Sequence, residues 1–289
     1  MHGGRVYSES LPFLWMTAMV WKTWRAGVVG RWVALLAACA AVPPAPTAAL
    51  ADLAPNGSLR AAINYGNPLL ATRSADGTPR GVSVDMTHEL GRRLGVPVEL
   101  VTYTGAGKVV AGIQAGEWDV AFYAIDPVRA VDTEFSAPYL LIEGAYLVPD
   151  ASPIRRSEDV DREGVRVAAA KGSAYDLYLT RSLKHATLVH APTSQQVTET
   201  LLGQKLEVAA GVRQQMQADA ARLPGLRLLD GRFMEIRQAM AVPTGRRLGA
   251  AYVAKFVEQM KASGFIAESL HRHGIEGVTL AEPAPGPIR

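Results

Sequence analysis

Few side chains in this sequence are spaced for covalent or metal chemistry. Gly105-Ala106-Gly107-Lys108-Val109 has the lysine of a phosphate-binding loop, but the earlier glycine and the Ser or Thr after the lysine are missing. His271 and His273 place two imidazoles two residues apart with no nearby third ligand, which reads as a solvated helix end. There is no Gly-x-Ser-x-Gly elbow and no Ser-x-x-Lys, so nucleophilic catalysis has no candidate. The one cysteine, Cys39, lies near the N-terminus and leaves the rest of the chain without a thiol for disulfide, metal or redox work. No cofactor and no metal are expected.

The elements that must position any site begin after a leader. Residues 1–51 hold Arg5, Lys22, Arg25 and Arg31 against Glu9, which accounts for the whole formal charge of +3. Acidic and basic residues balance in the remainder, so the electrostatic footprint of a nucleic-acid binder is absent. The leader runs from a basic stretch ending at Arg31, through an apolar run Trp32–Val42, to Ala49-Leu50-Ala51, the order of a secretory signal cleaved after Ala51. The apolar run is shorter than the ~20 residues that span a bilayer. Translation from Met16 or Met19 would give a more ordinary basic start. Leu36-Ala37-Ala38-Cys39 also resembles a lipobox, so a lipid anchor at Cys39 is the alternative to release into the periplasm.

From Leu59 the chain alternates β-rich and helical runs, the pattern of a mostly parallel sheet covered by helices. Strands are expected at Leu59–Ile63, Val98–Tyr103 and Val120–Tyr123. Between them come helices from about Val84 to Leu94, capped by Asp85, and from Lys108 to Ala115. After Tyr139–Val148 the plan repeats with Val165–Ala169, a helix Ser173–Leu183, Thr187–Val189, a helix Thr193–Leu202 and Leu206–Ala210. A helix near Arg213–Ala221, strands Leu226–Leu229 and Ile236–Val242, and helices Arg247–Ala262 and Phe265–His271 complete the series. The expected division is a signal peptide 1–51, lobe 1 from 52–146 plus 240–275, lobe 2 from 147–239, and a loose tail 276–289. Leu147–Val148 and Gln238–Met240 are the expected crossings.

Gly81-Val-Ser-Val-Asp85, Arg92-Arg93-Leu94-Gly95, Ala115-Gly-Glu-Trp-Asp119-Val120, Pro127-Val-Arg129 and Phe135-Ser136-Ala137-Pro138-Tyr139 recur in an informative order. Together with Lys171-Gly172-Ser173-Ala174-Tyr175 and Lys261-Ala-Ser-Gly264-Phe265, they resemble the family 3 solute-binding proteins of amino-acid-type ABC importers over about residues 58–273. The resemblance implies an α/β bilobal periplasmic-binding-protein fold, with two Rossmann-like lobes joined by two crossing strands and a ligand cleft between them. It further implies a monomer that captures a small carboxylate-bearing solute and delivers it to an ABC permease, with no catalysis of its own.

The resemblance places Arg129 at the arginine that holds the ligand carboxylate, work suited to a guanidinium fork; the alternative is a local surface pair with Asp126. Gly172 and Ser173 precede a helix whose first N–H groups favour an anion, although Ser173 also suits a simple cap. Asn64, Tyr65 and Asn67 fall at the cleft edge, either lining it or forming an ordinary turn around Gly66 and Pro68. Tyr123, Ala124 and Asp126 lie along the run before the arginine. Arg213 and Lys108 read as solvated surface charge.

Three departures from the family pattern stand out. Val212 replaces the aspartate that pairs with a ligand ammonium, Ala106 replaces a covering aromatic, and Phe122–Asp126 lacks the usual hydroxyl donor. The pocket is therefore expected to differ from an ordinary α-amino-acid pocket. The rival reading is a cyclohexadienyl-dehydratase-like lyase on the same fold, with Asp126 or Glu143 as the general acid.

Overall fold

The computed structural model describes residues 46–283. Most of the leader, Cys39 and residues 284–289 lie outside them. Among the described residues no helix is long and apolar enough to cross a membrane.

The first unit runs α1 (Thr47–Leu53), β1 (Leu59–Asn64), a hairpin of β2 (Thr72–Arg73) and β3 (Pro79–Arg80), α2 (Val82–Leu94), β4 (Val98–Tyr103), α3 (Ala106–Gln114), β5 (Val120–Ala124) and β6 (Thr133–Phe135). Strand β1 pairs in parallel with β4 on one side and β5 on the other. All five residues of β5 are buried because helices cover both faces, which is why the run Val-Ala-Phe-Tyr-Ala is apolar throughout rather than alternating. Strand β7 (Leu140–Pro149) leads to the second unit: β8 (Arg166–Ala170), α4 (Ala174–Ser182), β9 (Thr187–Ala191), α5 (Val197–Gly203), β10 (Val208–Val212), α6 (Arg213–Arg222) and β11 (Leu226–Leu228). Here β8 lies parallel to both β9 and β10. The chain returns through β12 (Met234–Pro243) to α7 (Arg247–Ala262), α8 (Phe265–Arg272) and β13 (Thr279–Leu280).

One sheet runs through the molecule in the order β4-β1-β5-β12-β7-β10-β8-β9. Its centre is the antiparallel pair β7–β12, and this pair joins the lobes. Strand β12 pairs through Gln238–Ala241 with β5 in the first lobe and through Met234–Gln238 with β7. Strand β7 then pairs through Gly144–Leu147 with β10 and through Leu147–Pro149 with β11, both in the second lobe. The stretch shared by the two crossings is thus Leu140–Gly144 against Met234–Gln238. Leu147 and Val148, expected at the crossing, already belong to the second lobe's sheet, because β10 and β11 bond there to opposite edges of β7.

Two other expectations, on Asp85 and on the tail, need correction. Asp85 does not cap α2, which begins three residues earlier after Gly81; its carboxylate instead accepts from Ser269 Oγ at 2.6 Å and ties α2 to α8. The segment from 276 on is not loose over its described part. Thr279–Leu280 pairs with Leu140–Leu141 on β7, the Ala281 N–H donates to the Tyr139 carbonyl, and Ala281 is buried, since the hinge pair offered an open strand edge. The expected cleavage point after Ala51 falls inside α1. This helix buries Ala49 and Leu53, and Asp52 accepts the Leu248 and Gly249 N–H groups at the start of α7.

Candidate functional site

Parallel strands deliver their ends to the same edge, and both lobes turn that edge toward the hinge. In the first lobe β1 ends in Asn64 and β5 in Tyr123 and Ala124. In the second, β8 runs into Gly172-Ser173 at the start of α4, and β10 ends in Val212. A cavity of about 40 Å³ lies where they meet. The first lobe lines it with Asn64, Gly66, Asn67, Ala106, Tyr123, Ala124 and Arg129; the second adds Ser173, Ala174, Tyr175, Ser194 and Val212; β12 adds Ile236 and Gln238. No carboxylate lines it among the described residues.

Arg129 dominates its electrostatics. The side chain is only 2% exposed and has no acidic partner. Nη1 donates to the Ala124 carbonyl and Nη2 to the Gly172 carbonyl across the cleft, each at 2.9 Å, while Nε is buried without a partner. Burial lowers the guanidinium pKa to about 10, since the charged form loses more to desolvation than the nearby Tyr123 and Asp126 give back. The ring of Tyr123 lies beneath it, 5.2 Å from the guanidinium carbon, and is held edge-on by Trp118 and Phe135. Burial also pushes the Tyr123 hydroxyl up to about 12, so it remains a neutral donor. Its oxygen and Gln238 Oε1 are further buried polar atoms without a partner.

The alternative of a surface pair between Arg129 and Asp126 is not what forms. The Asp126 carboxylate is engaged by Arg181 from α4, Nη2 to Oδ2 at 2.7 Å, and by the Val128 N–H. This ion pair spans the two lobes, as does the bond from Gln195 Nε2 to the Tyr65 carbonyl. The backbones also touch: a Cβ on Gly172, whose φ is +73°, would lie 2.8 Å from Gly107 Cα. The lobes are closed on one another.

Seven of the ten residues singled out from the sequence share the cavity: Asn64, Asn67, Tyr123, Ala124, Arg129, Ser173 and Val212. Asn64 and Asn67 serve both readings given for them. Their Oδ1 atoms accept the Gly66 and Leu69 N–H groups within a turn, which leaves their NH₂ ends. Tyr65 is outside, with Arg73 stacked 4.6 Å over its ring. Asp126 is held at the rim.

Gly172 touches Arg129 through its carbonyl, while its N–H is taken by Asp176 Oδ2 and that of Ser173 by the Ala170 carbonyl. Ser173 caps α4, accepting from the Asp176 N–H. The first-turn donors with no intrahelical acceptor are therefore one step further on, at Ala174 and Tyr175. Sequence reasoning also passed over Ser194, Ile236 and Gln238 as lining residues. Gln238 carried a usable signal, as a polar residue inside the apolar run Ile236–Val242.

Two lobes hinged on a pair of strands, closed over a buried cation and a set of unpartnered donors, define a solute receptor. The chain belongs to the bacterial extracellular solute-binding proteins, family 3, whose sequence model matches residues 59–275. A search of curated proteins finds no match. Among solved structures, the chain is similar to a solute receptor for L-cysteine of Neisseria gonorrhoeae (21% identity, 81% of this chain and 99% of that one, TM-score 0.69). It is also similar to a mutant of ArgBP from T. maritima (20%, 78% and 99%, 0.67). A third similar structure is the ancestral amino acid-binding protein AncCDT-1, a precursor of cyclohexadienyl dehydratase (22%, 77% and 98%, 0.65). At these identities the likeness concerns the fold.

Proposed function

We propose that this protein captures a small carboxylate-bearing solute outside the cytoplasm and hands it to an ABC permease, with Arg129 as the carboxylate anchor. The observation that carries this reading is the buried guanidinium without an acidic partner. An anion would offset the rest of its desolvation, and Arg129, whose Nε is unpartnered, lines one cavity together with Ala174 and Tyr175 from the other lobe. Asn64, Asn67, Tyr123 and Ser173 complete the polar lining. Val212 supplies no charge for an ammonium group, so ligands without an α-amino group are favoured over zwitterions.

The test is a thermal-shift screen of amino acids, keto acids, hydroxy acids and dicarboxylates, followed by calorimetry on matched 2-amino and 2-hydroxy pairs. Binding of hydroxy acids at least tenfold tighter supports the reading. Tight binding of the amino acid, abolished by Asp126→Asn, refutes the anion preference.

The lyase alternative finds little support in the geometry. Asp126 is held by Arg181, and Glu143, at 40% side-chain exposure, is bonded to Arg213 and faces Arg232, so both carboxylates are already engaged by arginines and neither lines the cavity. Turnover of prephenate or arogenate by the purified protein would overturn the binding reading.

On export, the packing of α1 favours the lipid-anchored route at Cys39, which retains Thr47–Leu53 whole, over cleavage after Ala51, which removes buried Ala49. The mass of the mature protein decides. An N-terminal Asp52 in the soluble fraction would rule the anchor out.

A further inference from the structure

Resting on the carboxylate-anchor reading, we infer that the ligand carries a neutral, hydrogen-bond-donating tail that leaves the Arg129 site past Val212 and lies in a crevice between Leu69 and the start of α6. The closed site around Arg129 is small, about 40 Å³. Val212 is shared with a second opening of about 310 Å³, lined by Pro68, Leu69, Gln195, Gln214, Gln215 and Ala218. A solute whose carboxylate meets Arg129 and whose tail passes Val212, the side chain that stands in for an ammonium partner, enters this second opening.

The chemistry of that crevice follows from its three glutamines. Gln195 Nε2 donates to the Tyr65 carbonyl, Gln214 Nε2 to the Gly277 carbonyl and Gln215 Nε2 to the Ser194 carbonyl. A carbonyl can only accept, so each carboxamide is oriented with its NH₂ toward that carbonyl; the Gln214 NH₂ faces both the Gly277 and the Glu276 carbonyls, while Gln195 and Gln215 each keep one N–H besides their oxygen. Gln214 Oε1 is buried with no partner. The crevice thus offers acceptors on an apolar floor and no charged side chain. A terminal hydroxyl or carboxamide fits it. A second carboxylate is repelled by the Gln214 oxygen and finds no cation, and a terminal ammonium finds no counter-charge.

Calorimetry with pentanoate, its terminal hydroxyl, carboxamide and ammonium analogues, and glutarate tests this on the wild type, Gln214→Leu and Gln214→Glu. The hydroxyl and carboxamide acids are expected to bind about five- to tenfold tighter than pentanoate, and glutarate at least tenfold weaker than they do. Gln214→Leu should erase the hydroxyl and carboxamide advantage over pentanoate. Gln214→Glu should make the ammonium analogue the tightest ligand, an inversion that a merely structural glutamine would not produce. If pentanoate binds but the tails make no difference, or the substitutions leave the ranking unchanged, the crevice assignment is overturned while the anchor stands. If none of the acids binds a folded wild-type protein, the anchor fails and the assignment falls with it.

Discussion

Replacing Arg129 by methionine separates a ligand anchor from a structural tie between lobes. A buried arginine of this size ordinarily costs several kcal/mol to remove, yet here the terms oppose one another. The fall of the guanidinium pKa to about 10 marks a penalty on the order of a few kcal/mol for holding the charge. Methionine removes that penalty and fills much of the volume. Against this, the Ala124 and Gly172 carbonyls each lose a charged donor, roughly 1.5 kcal/mol apiece. Arg129→Met should therefore unfold in denaturant within about 1 kcal/mol of wild type, while anion affinity falls at least thirtyfold, as expected when one partner of a buried charge pair is truncated. The pH dependence has a definite sign. Above about pH 10 the unfolded chain still holds the Arg129 proton that the folded chain has released, so this residue's contribution to ligand-free stability improves as pH rises there, and its penalty is complete below pH 10. Urea melts and calorimetry with the best acid of the screen provide the readout. A loss of more than 3 kcal/mol with anion binding intact would refute the reasoning and make Arg129 a structural tie.

Val212→Asp should move selectivity toward the α-amino acid that matches the preferred acid, by tenfold or more, read by paired titrations. Removing the ion pair that spans the lobes, through Arg181→Ala, should speed ligand release several-fold without changing the ranking of ligands, as followed by stopped-flow dissociation; a changed ranking would place Arg181 in the ligand site. Gly172→Ala meets Gly107 at 2.8 Å in a left-handed backbone conformation, so it should hold the lobes apart. Small-angle scattering is expected to show a larger radius of gyration that ligand does not reduce.

The sequence made the two repeated α/β units legible because their signals are local. The apolar runs of β4 and β5, the four-residue spacing of Met86, Leu90 and Leu94, and the serine ahead of α4 each act within a few residues. Arg129 was legible through a motif, and seven of the ten proposed residues fell on one cavity because strand ends of parallel sheets are brought together by topology. What the sequence left undecided depends on pairings between distant segments. Only the folded sheet shows that β7 changes partners at Gly144, which moves the crossing toward Leu140, and that Thr279–Leu280 finds an open edge there. Only the closed cleft turns the Gly172 carbonyl onto Arg129, gives Asp126 to Arg181 and fixes which end of each glutamine remains free. A side chain's type and neighbours reveal what it is able to bond. Which bonds it makes, and which atoms are left over for a ligand, is decided by groups far away in the sequence, and no local pattern in the chain records them.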